Sequence, residues 1–113
     1  MAALPLEISV DELARRRDAL PGERGGLTLV DVREPWEVEI CRLPGSIDIP
    51  LALLPGRLDA LPRDGILVVL CHHGARSRQA VEWLRANGVA NAVNLSGGID
   101  AWVRQIEPSM RTY

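Results

Sequence analysis

Apolar runs alternate with polar and glycine-rich breaks along the chain, and this pattern predicts short strands separated by short helices. A β-prone run at 27–32 and a fully apolar run at 66–70 predict two buried strands. The second run is apolar on both faces, which is typical of the middle of a parallel sheet covered by helices. Weaker runs at 47–49 and 92–95 predict two further strands.

Helix signals lie between these runs. Ser9 opens an S-x-x-E capping box, and Glu34-Pro35 favours a second helix start. The predicted helices cover about residues 10–19, 35–40, 77–87 and 99–106, with one or two helical turns over 54–61 and a break at Pro21-Gly22 and Gly25-Gly26. This order predicts one α/β domain over residues 1–113, with a mostly parallel central sheet and helices on both faces.

Composition and charge remove several classes of function. The 113 residues carry 13 basic and 15 acidic side chains, a net charge of −2 that recruits neither nucleic acid nor an anionic membrane. All basic residues are arginine, which excludes Schiff-base lysines and P-loop lysines. The longest apolar run, 66–71, is far below the roughly 20 residues of a membrane helix. The chain start resembles no secretory signal, which predicts a cytoplasmic protein.

Three polar segments directly follow predicted strands, at 31–33, 71–76 and 96–98. In open parallel sheets, ligands bind beyond the carboxyl ends of the strands. We therefore expect these segments to share one edge of the molecule and to form the functional site there.

The segment that begins at Cys71 has the composition of a reactive loop. Cys71 ends the most hydrophobic strand, and the polar residues 72–77 lead into a predicted helix. Backbone N–H groups and a helix N-terminus around a sulfur favour the nucleophilic thiolate. Gly74 allows a backbone conformation that a side chain would penalise, and Arg76 adds a fixed charge suited to an anion. A lone buried cysteine is usually a core residue, but this order of residues favours a nucleophile.

Four motifs in order resemble the rhodanese family, and specifically its single-domain members. The resemblance covers nearly the whole chain. The motifs are Asp31-Val-Arg33-Glu34 with Glu37, the segment Pro44 to Pro50, the C-x-x-G-x-R-S loop from Cys71 to Ser77, and Gly97-Gly98-Ile99 with Trp102.

The resemblance implies a sulfurtransferase that works through a persulfide on Cys71. The thiolate would take a sulfane sulfur from a donor such as thiosulfate and pass it to cyanide or a thiol, with a sulfur-accepting protein as an alternative acceptor. Arg76 would orient the anionic donor, and Asp31 and Arg33 would form a structural ion pair. No metal or organic cofactor is implied. The residues expected to bind the substrate are His72, His73, Gly74, Ala75, Arg76 and Ser77.

Three other functions stay open at this point. Cysteine phosphatases and arsenate reductases also use a cysteine-to-arginine loop, but phosphatase loops place five residues between the two, and here there are four. The shorter loop is too tight for a tetrahedral phosphate. The remaining alternatives are an idle rhodanese-like binding module, which usually lacks the cysteine, and a sulfur carrier for one specific partner.

Other candidate residues have simpler interpretations. Cys41 is either a resolving thiol or a packing residue, and packing is favoured because free cysteines are often buried. The spacing of Cys71, His72 and His73 does not match a zinc site. Trp36, just after the first predicted strand, is expected to wall the pocket.

Overall fold

The computed structural model describes residues 4–19 and 26–113 and contains one five-stranded sheet. The strands lie in the order β1-β5-β4-β2-β3, and every neighbouring pair is parallel. Their carboxyl ends therefore meet at one edge of the sheet. The strands are β1 Glu7–Ile8, β2 Leu27–Asp31, β3 Ile47–Asp48, β4 Ile66–Leu70 and β5 Ala92–Leu95.

Helices cover both faces of this sheet. The helices are α1 Val10–Ala19, α2 Pro35–Ile40, α3 Ala75–Ala86 and α4 Gly98–Gln105, with a 3₁₀ segment at Leu51–Ala60. Residues of α1 and α4 share one buried cluster with β4 and β5, while α3 and the 3₁₀ segment pack in a second cluster on the opposite face. The predicted α/β fold with a parallel central sheet is confirmed.

The central position of β4 follows from its composition. Residues 67–70 are completely buried, because each face of the strand lies under a helical layer. Burying aliphatic side chains contributes about 1.5–3 kcal/mol each, so this strand supplies much of the driving force for folding. Its carboxyl end consequently holds the next residue, Cys71, at a well-defined point of the sheet edge.

Three elements differ from the sequence-based expectation, and one of them is the 3₁₀ segment, which begins at Leu51 instead of residue 54. Strand β1 was not predicted, because two residues are too few to show a period; it pairs with β5 at the sheet edge. Helix α3 begins at Ala75, two residues earlier than predicted, because Gly74 adopts φ +104° and turns the chain directly into the helix. Arg76 and Ser77 therefore lie in the first helical turn, and the loop ends at Gly74.

Two sequence-based expectations are not settled by this fold. The proline–glycine break predicted after α1 lies outside the described residues. The assignment of residues 1–113 to one domain stays a prediction. Within the ranges described, every helix is too short or too polar to cross a membrane.

Candidate active site

The thiol of Cys71 lies buried against backbone amides. The Gly74 N–H donates to its Sγ at 3.1 Å, and the Ser77 N–H donates at 3.4 Å. The second donor belongs to the first turn of α3, where the aligned peptide dipoles give partial positive charge. Two backbone donors therefore converge on the Cys71 sulfur.

Further donors line the same loop. The backbone N–H groups of His72, His73, Ala75 and Arg76 donate no hydrogen bond within residues 4–19 and 26–113. Unpaired N–H groups at a loop-to-helix junction are suited to an anionic ligand. The loop therefore has donors to spare beyond the two that contact Cys71.

Strand β5 supports the loop through one buried amide. Asn94 donates from Nδ2 to the Gly74 carbonyl at 3.1 Å, which fixes the orientation of its side chain. Its Oδ1 consequently accepts the Ser77 hydroxyl at 2.5 Å, and the same hydroxyl oxygen lies 3.3 Å from the Cys71 sulfur. Asn94 thus sets both the backbone of the loop and the hydroxyl beside the thiol.

The segment before α4 approaches the Cys71 loop so closely that only glycine fits. A Cβ at Gly98 would lie 2.5 Å from the carbonyl oxygens of Cys71 and His72, and the residue also has φ +61°. Those carbonyls accept the N–H groups of Ile99 at 2.9 Å and Asp100 at 3.0 Å. The start of α4 therefore clamps the first half of the loop.

Arg76 forms a two-point ion pair with Glu37 of α2. Its Nη1 and Nη2 lie 2.8 and 2.7 Å from the two carboxylate oxygens, and the Glu37 side chain is only 4% exposed. The hydrogen bonds from Arg76 lower the pKa of Glu37 to about 2. The Glu34 N–H donates to the same carboxylate at 2.9 Å as part of a capping box. The pair ties α3 to α2 across the site.

Arg33 and Asp31 form a second pair below the first. Both side chains are fully buried, with Nη2 2.7 Å from Oδ2 and Nε 3.0 Å from Oδ1. Arg33 also donates to the carbonyls of Cys41 at 2.7 Å and Glu37 at 3.2 Å. The pair therefore joins the end of β2 to the first turn and to the C-terminal end of α2.

Aromatic side chains form the rim above the loop. The half-buried His72 stacks between His73 and Tyr113, with ring centroids 3.9 Å apart in both cases. The exposed ring of Trp36 meets Tyr113 edge-on at 5.8 Å. Tyr113 also donates its hydroxyl to Glu37 at 2.8 Å and accepts Arg33 Nη1 at 3.0 Å. Trp36 thus contributes to the rim through its contact with Tyr113.

The chain matches a family of known proteins. The family model described as a rhodanese-like domain matches residues 9–105. The chain belongs to the rhodanese-like family. This is the family that the four sequence motifs resemble.

Several relatives of this rhodanese-like chain are named for sulfur transfer. A sulfurtransferase of Allochromatium vinosum is 36% identical over 98 residues, covering 87% of this chain and 88% of that protein. A probable adenylyltransferase/sulfurtransferase of Mycobacterium tuberculosis, MoeZ, is 39% identical over 89 residues, covering 77% of this chain but only 23% of its own length. These relatives support sulfur transfer as the general class of activity.

Solved structures agree with this assignment. A rhodanese-related protein from Thermoplasma volcanium superimposes with a TM-score of 0.79 at 34% identity, covering 92% of this chain and 96% of that one. The human single-domain sulfurtransferase TSTD1 gives a TM-score of 0.76 at 28% identity, covering 90% and 98%. The match over nearly the full length of both shows the same rhodanese fold.

The predicted site residues of the rhodanese loop occupy distinct positions. Gly74 caps α3, Ser77 is buried beside the thiol, and Ala75 is exposed in the first helical turn. His73 is exposed at the mouth, and its Nε2 lies 3.9 Å from Asp100 Oδ2. Their roles in binding a substrate stay predictions.

Three residues around the loop were missed or left unassigned by the sequence interpretation. Asn94 gave a weak signal as one polar position within the apolar run at 92–95. Glu37 was quoted as part of a motif without a role, although its place at the third position of α2 is typical of a capping box. Tyr113 gave no signal, because its contacts with Arg33 and Glu37 span 80 and 76 positions in sequence.

Cys41 and the histidine pair have surroundings of their own. The Cys41 sulfur is buried 4.0 Å from Arg33 Nη1, and the residue packs in the cluster under α1 and α4. One ligand atom each from His72, His73 and Asp100 lies within 4.8 Å of the others. The two imidazoles are stacked, and Asp100 is paired with Arg104 at 3.0 Å. The expectation of no metal stays a prediction.

Proposed function

We propose that this chain transfers a sulfane sulfur from a small anionic donor such as thiosulfate to a thiophilic acceptor, through a persulfide on Cys71. The observation that carries the proposal is the contact of Sγ with the N–H groups of Gly74 and Ser77. Four more loop N–H groups have no hydrogen-bond acceptor in the described part of the chain. These donors supply a place for one additional, negatively charged sulfur atom.

The reaction has two displacements on one nucleophile. The Cys71 thiolate attacks the outer sulfur of thiosulfate, a new S–S bond forms, and sulfite leaves with the electron pair of the old one. Cyanide or an acceptor thiolate then attacks the outer sulfur of the persulfide, and the Cys71 thiolate is the leaving group. Thiocyanate or an acceptor persulfide is the product. Neither step requires a general base when all three nucleophiles are anions.

The proposed donor site consists mainly of backbone. His72, His73, Gly74, Ala75 and Ser77 would bind through their N–H groups, which fits their unrelated side chains. Arg76 would orient the anionic end of the donor. Because both Nη atoms of Arg76 already bind Glu37, the donor must approach the remaining N–H groups of that guanidinium.

The length of the loop disfavours a phosphatase. A cysteine phosphatase uses its loop arginine for the equatorial oxygens of the phosphoryl group. Here Arg76 follows Cys71 after four residues instead of five, and the shorter loop leaves less room for a tetrahedral phosphate. We therefore expect no turnover of p-nitrophenyl phosphate, and hydrolysis that depends on Cys71 would support the phosphatase instead.

A protein acceptor is a second candidate. MoeZ and the uba4 protein of Ogataea parapolymorpha carry both adenylyltransferase and sulfurtransferase in their names, and this chain covers only 23% and 25% of them. Transfer to a partner protein would use the same persulfide, with thiosulfate as a substitute donor. A cytoplasmic location stays a sequence-based prediction.

Intact-mass measurement tests the proposal. Incubation with thiosulfate should add the mass of one sulfur atom, and cyanide should remove it. Cys71→Ser should abolish the gain, while Cys41→Ser, the matched control, should retain it. A gain that persists in Cys71→Ser, or that disappears in Cys41→Ser, would contradict the assignment of Cys71 as the persulfide residue.

A further inference from the structure

The segment after α4 is held against the molecule at several points. The Glu107 N–H donates to the Trp102 carbonyl at 3.0 Å, and the Glu107 carboxylate accepts Trp102 Nε1 at 2.9 Å. Ile106 and Met110 pack against the buried cluster of α1 and α4. These contacts hold the segment after α4 in place, and Tyr113 in that segment lies against the candidate active site.

The side chain of Tyr113 is fixed by contacts of two kinds. Its ring stacks almost parallel on His72, at 3.9 Å and 13°, and meets the edge of Trp36. Its hydroxyl donates to Glu37 Oε1 and accepts from Arg33 Nη1. Burial raises the pKa of Tyr113 to about 12, so the hydroxyl stays protonated and keeps donating at neutral pH.

These contacts place the ring across the Cys71 loop. His72 is the residue after Cys71 at one end of the loop, and Glu37 holds Arg76 at the other end. Tyr113 touches both His72 and Glu37, while Cys71, the residue before His72, is only 1% exposed. The ring therefore bridges the two sides of the mouth.

We propose that Tyr113 is a specificity-determining residue that limits the size of the molecules that reach Cys71. Small donors and acceptors, such as thiosulfate, cyanide and small thiols, pass beside the ring. A bulky thiol or a protein acceptor requires the ring to leave His72. Tyr113 lies outside residues 9–105, so the family match does not account for this role. The proposal deepens the proposed function and rests on it for its substrates.

Modification of Cys71 by maleimides of different size tests the proposal without sulfur transfer. The rate constants are measured with N-methylmaleimide and with fluorescein-5-maleimide, which share one electrophile, and mass spectrometry locates the adduct on Cys71. Tyr113→Ala should raise the rate ratio of the large to the small reagent roughly tenfold, which corresponds to ~1.4 kcal/mol. Tyr113→Trp should lower the ratio. Thr112→Ala, an exposed neighbour, is the matched control and should leave it unchanged.

Two results would overturn the proposal. One is an unchanged ratio in a folded Tyr113→Ala protein, and the other is an equal acceleration of both reagents, which would mean that the whole loop opens. Should Tyr113→Ala fail to fold, Tyr113→Leu and Tyr113→Trp provide the same comparison. Failure of thiosulfate to load wild-type Cys71, with the maleimide ratios as expected, would reject the proposed function and leave the size limit in place.

Discussion

Two arginine–carboxylate pairs lie at the same sheet edge, and they differ mainly in depth. Asp31 and Arg33 are completely buried, whereas Arg76 is 38% exposed and only its partner Glu37 is buried. The inner pair, Asp31–Arg33, joins backbone segments that cannot move apart without leaving a buried charge unpaired. The outer pair, Arg76–Glu37, joins the Cys71 loop to α2, and its arginine is partly exposed. Both pairs make two-point contacts, but the inner pair stabilises the buried core, whereas the outer pair positions the Cys71 loop.

Glu37 connects the two pairs. Its backbone carbonyl accepts Arg33 Nη1, while its carboxylate binds Arg76 and the Tyr113 hydroxyl. A disturbance of the inner pair is thus expected to reach the loop, whereas a disturbance of the outer pair need not reach the core. The following predictions test that asymmetry, beginning with the largest effect.

Removal of the inner arginine should be strongly destabilising. Arg33→Ala leaves the Asp31 carboxylate buried without its counter-charge, a change that costs about 3–5 kcal/mol. Arg33→Lys should recover little, because an ammonium cannot reproduce the planar two-point contact. Urea denaturation at constant m-value measures the free energy of unfolding.

The control for this change is the exposed Arg57, whose replacement by alanine should have little effect. Equal free energies of unfolding for Arg33→Ala and Arg57→Ala would show that the inner pair does not stabilise the buried core.

Removal of the outer arginine should have a smaller effect. Arg76→Ala is expected to lower stability by about 1–3 kcal/mol, because it breaks two charge-assisted hydrogen bonds but leaves Glu37 the Glu34 N–H and the Tyr113 hydroxyl. Glu37→Gln is the matched variant that weakens the same pair from the other side.

The kinetics of sulfur transfer then distinguish two roles of Arg76, positioning of the Cys71 loop and binding of the donor. If Arg76 also orients the donor, Arg76→Ala should raise KM for thiosulfate well beyond Glu37→Gln. Equal KM values in the two variants would restrict Arg76 to holding the loop.

Most of the fold could be predicted from local patterns in the sequence. The fold followed from local patterns: the two-sided apolar run of β4 fixed the centre of the sheet, and parallel pairing placed residues 31–33 and 71–76 at one edge. Strand β1 was not predicted, because a strand of two residues is too short to show an alternating pattern of apolar and polar residues. The start of α3 was misplaced because the conformation of Gly74, rather than a polar cap, begins the helix.

Long-range contacts of the site were beyond such reasoning. Arg76 is suited to an external anion when only its own loop is considered. Its pairing with Glu37 spans 39 positions and becomes visible only when α2 and α3 are placed side by side. Tyr113 is a stronger case, since no local pattern connects the segment after α4 with a loop some 40 residues earlier. Local patterns singled out Cys71, and tertiary packing decided what surrounds it.

Protonation of the Glu37 carboxylate at low pH should weaken the outer pair. The hydrogen bonds from Arg76 lower the pKa of Glu37 to about 2, below its ordinary value of 4.5. Because the folded protein prefers the ionised form, the stabilisation is fully present above pH 4.5 and is lost as the pH falls towards 2. The difference in unfolding free energy between wild type and Glu37→Gln should therefore narrow between about pH 5 and pH 3. A constant difference over this range would show that Glu37 does not titrate with the pair.

The smallest expected effect concerns His72, which stacks on Tyr113 beside the outer pair. Burial lowers the pKa of His72 below its ordinary value of 6.5, the neighbouring His73 lowers it further, and Asp100 and Glu37 oppose the change. The folded protein therefore prefers the neutral ring, while the unfolded chain binds the proton more readily, so stability falls as the pH drops below 6.5. His72→Phe retains an aromatic ring against Tyr113 and removes the titration. Wild type should lose stability relative to His72→Phe as the pH falls through about 6.5. Parallel profiles for the two proteins would mean that His72 is equally easy to protonate in the folded and the unfolded state.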